Sequence, residues 1–274
     1  MVNMDVQDTN KRLSENYRVF LTTHKGLVRD NNEDNFTINN ISKKIEYKNV
    51  SFALENEAPL LAAVFDGMGG ESKGEYASYI SAKLAKDLYN ALFDPQAAPM
   101  DEMVSTYVQS ANNEIRAFLE ENKCQTGGST LVAAIIKNEV LYPFSLGDSR
   151  IYYLRDGQLT QVSKDQTLAM KKYEANIYTL EEAEKSPDSH KLTAFLGVDY
   201  YRQGVSPQFY EPIVMQNTDK LLLCSDGLYD ELSLQEIQEV LKSNPDNPSE
   251  ALVQAALQHG GRDNVTVMVV ERAL

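Results

Sequence analysis

The sequence predicts an α+β fold of antiparallel sheets covered by helices, and three observations carry that expectation. Apolar, β-prone runs outnumber helical patterns. They arrive in hairpin-spaced series, and the two longest amphipathic segments follow one another directly. A parallel doubly wound sheet would instead alternate strand and helix.

Arg18 to Thr23 and Asn35 to Ile38 are β-prone, and Lys44 to Leu54 reads as a further strand or hairpin. Leu60 to Phe65, LLAAVF, is continuously apolar, which predicts a buried strand. After a glycine-rich turn, Tyr76, Ile80, Leu84, Leu88 and Leu92 recur at helical spacing and predict a helix over Glu75 to Phe93. Pro95 and Pro99 end it. Met103, Tyr107, Ala111, Ile115 and Leu119 then define a second helix ending near Asn122, expected to pack antiparallel on the first.

Short strands follow at Thr130 to Ile136, Val140 to Leu146, Ile151 to Leu154 and Leu159 to Val162. Asp156-Gly157 joins the last two as a hairpin turn, because both positions tolerate positive φ. Lys164 to Lys191 is polar, Glu-rich and weakly patterned, as expected of a partly helical excursion over the sheet edge. Strands resume at Phe209 to Met215 and Leu221 to Ser225. Ser233 and Glu236 form a capping box that opens a helix through Leu241, a second helix covers Ala251 to Leu257, and Val265 to Val270 closes the chain as a strand. No repeat or linker interrupts the pattern, so one domain is expected over residues 18–274, behind a polar N-terminal extension of residues 1–17 and including the excursion over residues 164–191.

Of 274 residues, 42% are hydrophobic and 24% charged, which excludes disordered and fibrous classes. A formal net charge of -14 opposes binding to nucleic acid or an acidic membrane. The two cysteines, Cys124 and Cys224, suit a reducing compartment, and Cys224 ends an apolar run. No window approaches the ~18 apolar residues of a membrane span, and the polar start lacks a signal-peptide core. The expectation is a soluble, cytoplasmic monomer.

Aspartates stand where strands end: Asp34 before Asn35, Asp66 after LLAAVF, Asp148 after Phe144 to Gly147, Asp226 after LLLCS, and Asp263 before Asn264-Val265. A single such residue is ordinarily a turn former, but five together suggest a site. Carboxylates without a His/Cys cluster suit Mg²⁺ or Mn²⁺ better than Zn²⁺. Gly67, Gly69 and Gly70 let the backbone approach an ion and lend it a carbonyl.

Arg29 with Asn32-Glu33-Asp34, Asp66-Gly67-Met68-Gly69-Gly70, Thr126-Gly127-Gly128-Ser129-Thr130, Gly147-Asp148-Ser149-Arg150, Ser225-Asp226-Gly227 and Gly261-Arg262-Asp263-Asn264 resemble, in that order, the motifs of the metal-dependent PPM (PP2C-type) Ser/Thr protein phosphatases. The resemblance spans Phe20 to Val270, and Met68 points to the bacterial branch. It implies a sandwich of two antiparallel sheets flanked by helices, and hydrolysis of phosphoserine and phosphothreonine in proteins by water bridging two metals, Mn²⁺ or Mg²⁺. Carried over by motif, Asp34, Asp66, Asp226 and Asp263 hold the metal pair with the Gly67 carbonyl, and Glu33 acts through water. Asp148 and Asp226 hold a third, looser metal, and Arg29 binds the substrate phosphate. The implied partners are phosphoproteins made by a Ser/Thr kinase. Eukaryotic members carry a His at the position of Met68, and the excursion Lys164 to Lys191, which matches the family's variable flap, lacks the usual basic residue between Thr193 and Phe195, where Ala194 stands. Independently of the resemblance, the four aspartates outweigh Arg29 until two divalent ions reverse the local sign, so the site attracts a phosphate dianion only when metal is bound.

Other chemistries fit less of the chain. Gly70-Glu71-Ser72-Lys73-Gly74 has the spacing of a nucleophile elbow, but Ser72 lies well past Phe65 and leaves Asp226 and Asp263 without a role. Cys124 and Cys224 lack a following Arg, Glu75 replaces a P-loop Lys, and Asn35 and Ile41 break a calcium loop begun at Asp30. His24, His190 and His259 are scattered and read as surface or core-edge imidazoles. A non-catalytic binding module would have lost a ligand aspartate, and none is missing.

Overall fold

The computed structural model describes residues 16–69, 73–124, 126–198 and 205–272. Ser72 and Gly70 of the elbow pattern, and nearly all of the N-terminal extension, lie outside them. Two antiparallel sheets face one another. Sheet I has six strands in the order Gln158–Gln161, Arg150–Arg155, Lys220–Cys224, Val265–Arg272, Asn16–His24 and Val50–Glu57. Sheet II runs Gln208–Phe209, Val140–Leu146, Leu131–Lys137, Leu60–Phe65, Asn35–Ile38 and Ile41–Ser42, with Ile213–Val214 also paired to Val140–Leu146.

The continuous apolar runs are explained by burial on both faces. Along Leu60–Phe65, Leu60, Ala62 and Val64 point between the sheets toward Leu221, Leu223, Met268 and Val270. Leu61, Ala63 and Phe65 point outward onto a helix pair, Lys73–Ala91 and Met100–Glu121. Those helices are antiparallel: Tyr76 stacks on Phe118 at 5.0 Å, and the Tyr107 hydroxyl donates to the Ser81 carbonyl at 2.9 Å. Against the other face of sheet I pack Leu234–Lys242 and Pro248–Gln258, through Ile237, Leu241, Leu252 and Val253. The result is a helix, sheet, sheet, helix sandwich: the antiparallel sheets covered by helices that the patterns predict, in the two-sheet arrangement that the family resemblance implies. No helix among the described residues is long and apolar enough to cross a membrane.

Local chemistry sets the boundaries. Asp156 and Gly157 take φ of 52° and 76°, the left-handed pair that a two-residue hairpin demands. The capping box of Ser233 and Glu236 closes both ways, and Asn247 caps the last helix with Pro248 in its first turn. Two strand expectations are corrected. The strand read over Lys44 to Leu54 is Val50–Glu57, preceded by a turn. Phe209 to Met215 splits into two short bridges around Pro212, which has no N–H for the ladder. The helix read over Glu75 to Phe93 starts at Lys73 and ends at Ala91. Lys164 to Lys191 carries the short helices Leu168–Glu174 and Leu180–Lys185.

Leu223 is fully buried between the sheets and sits opposite Ile151 and Met268 in the ladders. Leu223→Ala should destabilise the chain by about 2–5 kcal/mol through lost burial and a residual cavity. Urea unfolding in EDTA measures this, and a change well below 1 kcal/mol would show that the layers close over the gap.

Candidate active site

The ladder registers bring the aspartates together. Asn35 pairs with Phe65, so Asp34, one residue before the first strand, and Asp66, one residue after the second, leave sheet II at the same end. Cys224 pairs with Val267, so Asp226 and Asp263 flank adjacent strands of sheet I in the same way. Asp148 sits in the turn that carries the chain from Val140–Leu146 of sheet II to Arg150–Arg155 of sheet I. Each sheet thus contributes two carboxylates to one end of the sandwich, and the crossover adds a fifth.

Buried hydroxyls fix Asp34. Its Oδ2 accepts from Ser225 Oγ and Thr266 Oγ1, both at 2.7 Å, while its Oδ1 is buried without a partner among the described residues. A buried carboxylate oxygen left unpaired is costly in a finished protein, and a cation is the group that would satisfy it. Asp66 is held by its backbone, whose N–H donates to Thr130 Oγ1 at 3.0 Å and whose carbonyl accepts from Thr130 N at 2.8 Å. Asn264 locks the sheet I side onto the Arg29–Asp34 loop. Its Oδ1 accepts from Glu33 N at 2.7 Å, and its Nδ2 donates to the carbonyls of Lys25 and Asn31. A Cβ at Gly67 would collide with the carbonyl oxygens of Glu33 and Gly74, so only glycine lets these backbones meet.

The electrostatics are those of like charges forced together. Burial pushes the carboxyls of Asp66 and Asp226 well above the ordinary range. The fields of Asp34, Asp148 and Asp263 push both further. Burial also raises Asp34 to about 6, against the two hydroxyl hydrogen bonds that favour its charged form. Asp148 rises to about 7 by burial and the nearby Asp165, and Glu33 to about 7 by burial and Glu75. Clustered oxygen donors that cannot all ionise alone, with one buried oxygen unpaired, fit hard divalent cations.

Arg29 lies at the rim with its side chain 57% exposed, and its Nη2 donates to Asp263 Oδ2 at 2.6 Å. The structure also brings His190 and Asp230, to which the sequence assigns no role, beside Asp226. One ring nitrogen of His190 and one carboxylate oxygen each of Asp226 and Asp230 lie within 4.8 Å of one another, a set that does not include Asp148. Tyr229 donates to the Asp148 carbonyl at 3.0 Å and stacks under the Arg150 guanidinium, which is bidentate on Asp165. Ser225, Thr130 and Asn264 stand inside the motifs and were legible as neighbours; Thr266 and His190 carried no signal.

Residues 49–260 match the family model described as Protein phosphatase 2C. The chain is 30% identical over 259 residues to a Listeria welshimeri serine/threonine phosphatase stp, covering 92% of this chain and 94% of the relative. Its fold is similar to the crystal structure of the Mycobacterium tuberculosis serine/threonine phosphatase PstP/Ppp, with a TM-score of 0.77 and 31% identity, covering 94% of this chain and all of that one. A second structure, the catalytic domain of PstP in complex with two manganese ions, superposes with a TM-score of 0.71 at 31% identity, over 92% of this chain and 98% of that one. Motifs, sandwich and relatives agree: the chain belongs to the protein phosphatase 2C family of metal-dependent Ser/Thr protein phosphatases, in its bacterial branch.

Proposed function

We propose that Asp34, Asp66, Asp226 and Asp263, with the Gly67 carbonyl, hold two divalent ions, that Glu33 acts through water, and that Asp148 with Asp226 serves a third, looser ion. The observation that supports this most directly is the meeting of four aspartates from two sheets at one sandwich end, with Asp34 Oδ1 buried and unpaired. Bound there, divalent ions lower the pKa of water toward neutrality and offset charge on the phosphoryl oxygens. Hard oxygen donors accept Mg²⁺ as well as Mn²⁺.

The chain's own groups then have distinct tasks. Ser225 and Thr266 hold one oxygen of Asp34, which leaves the other aimed at a ligand. Arg29, open to solvent beside Asp263, offers a planar fork to two phosphoryl oxygens of the incoming residue and so orients the phosphorus. No protein nucleophile is required. The substrates are phosphoserine and phosphothreonine in proteins modified by a Ser/Thr kinase. The proposed setting is cytoplasmic signal transduction, with the enzyme acting as a monomer without nucleic acid or membrane.

Chelation should abolish hydrolysis of a phosphothreonine peptide, and Mn²⁺ or Mg²⁺ should restore it. Serine-directed reagents should leave the restored rate unchanged; metal-independent activity lost on Ser72→Ala would overturn the assignment. Asp226→Asn should cut turnover by about 100-fold or more with the fold retained by circular dichroism. Wild-type turnover in that variant would remove Asp226 from the site.

Arg29→Ala should lower kcat/KM about 10- to 150-fold, mostly through KM, because the fork meets oxygens present before and during reaction. Arg29→Lys should recover only part, since a point charge lacks the fork. Unaltered kinetics in Arg29→Ala would place phosphate binding elsewhere.

Metal-free stability should have an inverted pH dependence. Asp34, Asp148 and Glu33 titrate in the folded chain near 6, 7 and 7, above free carboxyls, so the folded form retains protons that the unfolded chain has released. Their stabilisation is present below about pH 4 and is lost as pH rises through 6 to 7. In EDTA the melting temperature should therefore fall between about pH 5 and 7.5, and added Mn²⁺ should raise it more at the upper end. A metal-free melting temperature that climbs over this range would contradict the clustering.

A further inference from the structure

Three lysines tie down the loop that carries Arg29, Glu33 and Asp34. Lys25 Nζ donates to the carbonyl of Arg29 at 2.8 Å, Lys48 Nζ to that of Asp30 at 2.7 Å, and Lys43 Nζ to that of Asn32 at 2.8 Å. Lys43 differs from the other two in being only 3% exposed. Its backbone is clamped to Asn35, the neighbour of Asp34. Lys43 N donates to Asn35 Oδ1 at 3.0 Å, and its carbonyl accepts from Asn35 Nδ2 at 3.2 Å.

A buried ammonium whose one hydrogen-bond partner among the described residues is a neutral carbonyl is costly. The charges that compensate it are Asp34 and Glu75, whose fields oppose the effect of burial on Lys43. Its ammonium titrates near 8, so it is charged at neutral pH. Salt screens such an interior interaction far less than a surface one.

We infer that Lys43 is a resident counter-charge of the carboxylate cluster, stabilising the metal-free site and weakening its hold on divalent ions. The inference rests on the reading of Asp34 as a metal ligand. The same cation that attracts Asp34 in the empty site repels any cation that Asp34 would hold, so one side chain moves folding and metal affinity in opposite directions. A residue that only anchors the loop would move both the same way, since a loosened Asp34 binds metal less well. The sign of the affinity change therefore separates the two roles.

Two variants of the full chain read that sign. Lys43→Gln removes the charge and keeps an N–H donor for the Asn32 carbonyl, while Lys43→Arg keeps the charge. By titration calorimetry, Lys43→Gln should bind Mn²⁺ roughly tenfold more tightly than the parent, and Lys43→Arg within about twofold of it. In EDTA, Lys43→Gln should melt below the parent, and saturating Mn²⁺ should close that gap. Weaker or unchanged binding in Lys43→Gln overturns the inference, as does equal tightening in both variants or a Lys43→Gln chain that fails to fold even in Mn²⁺. Asp226→Asn, titrated alongside, separates the two levels. If it binds Mn²⁺ as the parent does, the ligand assignment falls and the inference with it. If it loses Mn²⁺ while Lys43→Gln does not tighten, the inference alone falls.

Discussion

Everything in this protein is arranged around the cost of burying like charges in one place. Asp34 and Asp148 are almost fully buried, and Asp66 and Asp226 are driven well above their ordinary titration range by burial and by the carboxylates around them. A fold tolerates that repulsion only if the rest of the structure is rigid enough to hold the groups there and a counter-ion removes the charge. The first requirement explains the sandwich, and the second explains why the family is metal-dependent.

Rigidity comes from where the carboxylates are attached. Each of the four aspartates at the sheet ends lies within two residues of a strand whose interior side chains are packed on both faces, so none hangs from a free loop. The loops that do approach are cross-linked. The Asn264 side chain binds the backbone of Lys25, Asn31 and Glu33 at once, Thr130 holds Asp66 by its backbone, and the Leu27 N–H donates to the Gly261 carbonyl at 2.7 Å. Close contacts of this kind need small residues. A side chain at Gly227 would strike the Asn264 carbonyl, just as one at Gly67 would strike Glu33 and Gly74.

How much of this is legible in the sequence follows from the range of the interactions. Strand ends followed by Asp and Gly are local signals, so Asp66, Asp226 and the hairpin at Asp156 can be read directly. Leu60–Phe65, apolar at every position, already announces a strand covered on both faces. The pairing of Asp34 with its partners cannot be read this way: Ser225 stands in a visible motif but 191 residues distant, and Thr266 lies 232 residues distant with no local signal at all. Lys43 is equally hidden, because a lysine in the polar stretch after Ile41 reads as a solvated turn until the fold closes over it. The splitting of Phe209 to Met215 had a visible cause in Pro212, whose missing N–H outweighs the β-prone residues around it.

The segment from Lys164 to Lys191 obeys a different rule from the site it borders. Its root is fastened to the Asp148 turn: Gly147 N donates to Gln166 Oε1 at 2.7 Å, and Gln166 N donates to the Gly147 carbonyl at 2.9 Å. Beyond that root its helices are short, its Lys185–Glu181 ion pair is at the surface, and Tyr173, Ile177 and Leu180 are exposed. Surface pairs of this kind contribute little to stability, so the segment can change sequence at small cost to the core. The Asp148 turn joins both sheets and cannot change so freely. Chemistry is thereby confined to the rigid sandwich end, while the surface beside it is free to diverge.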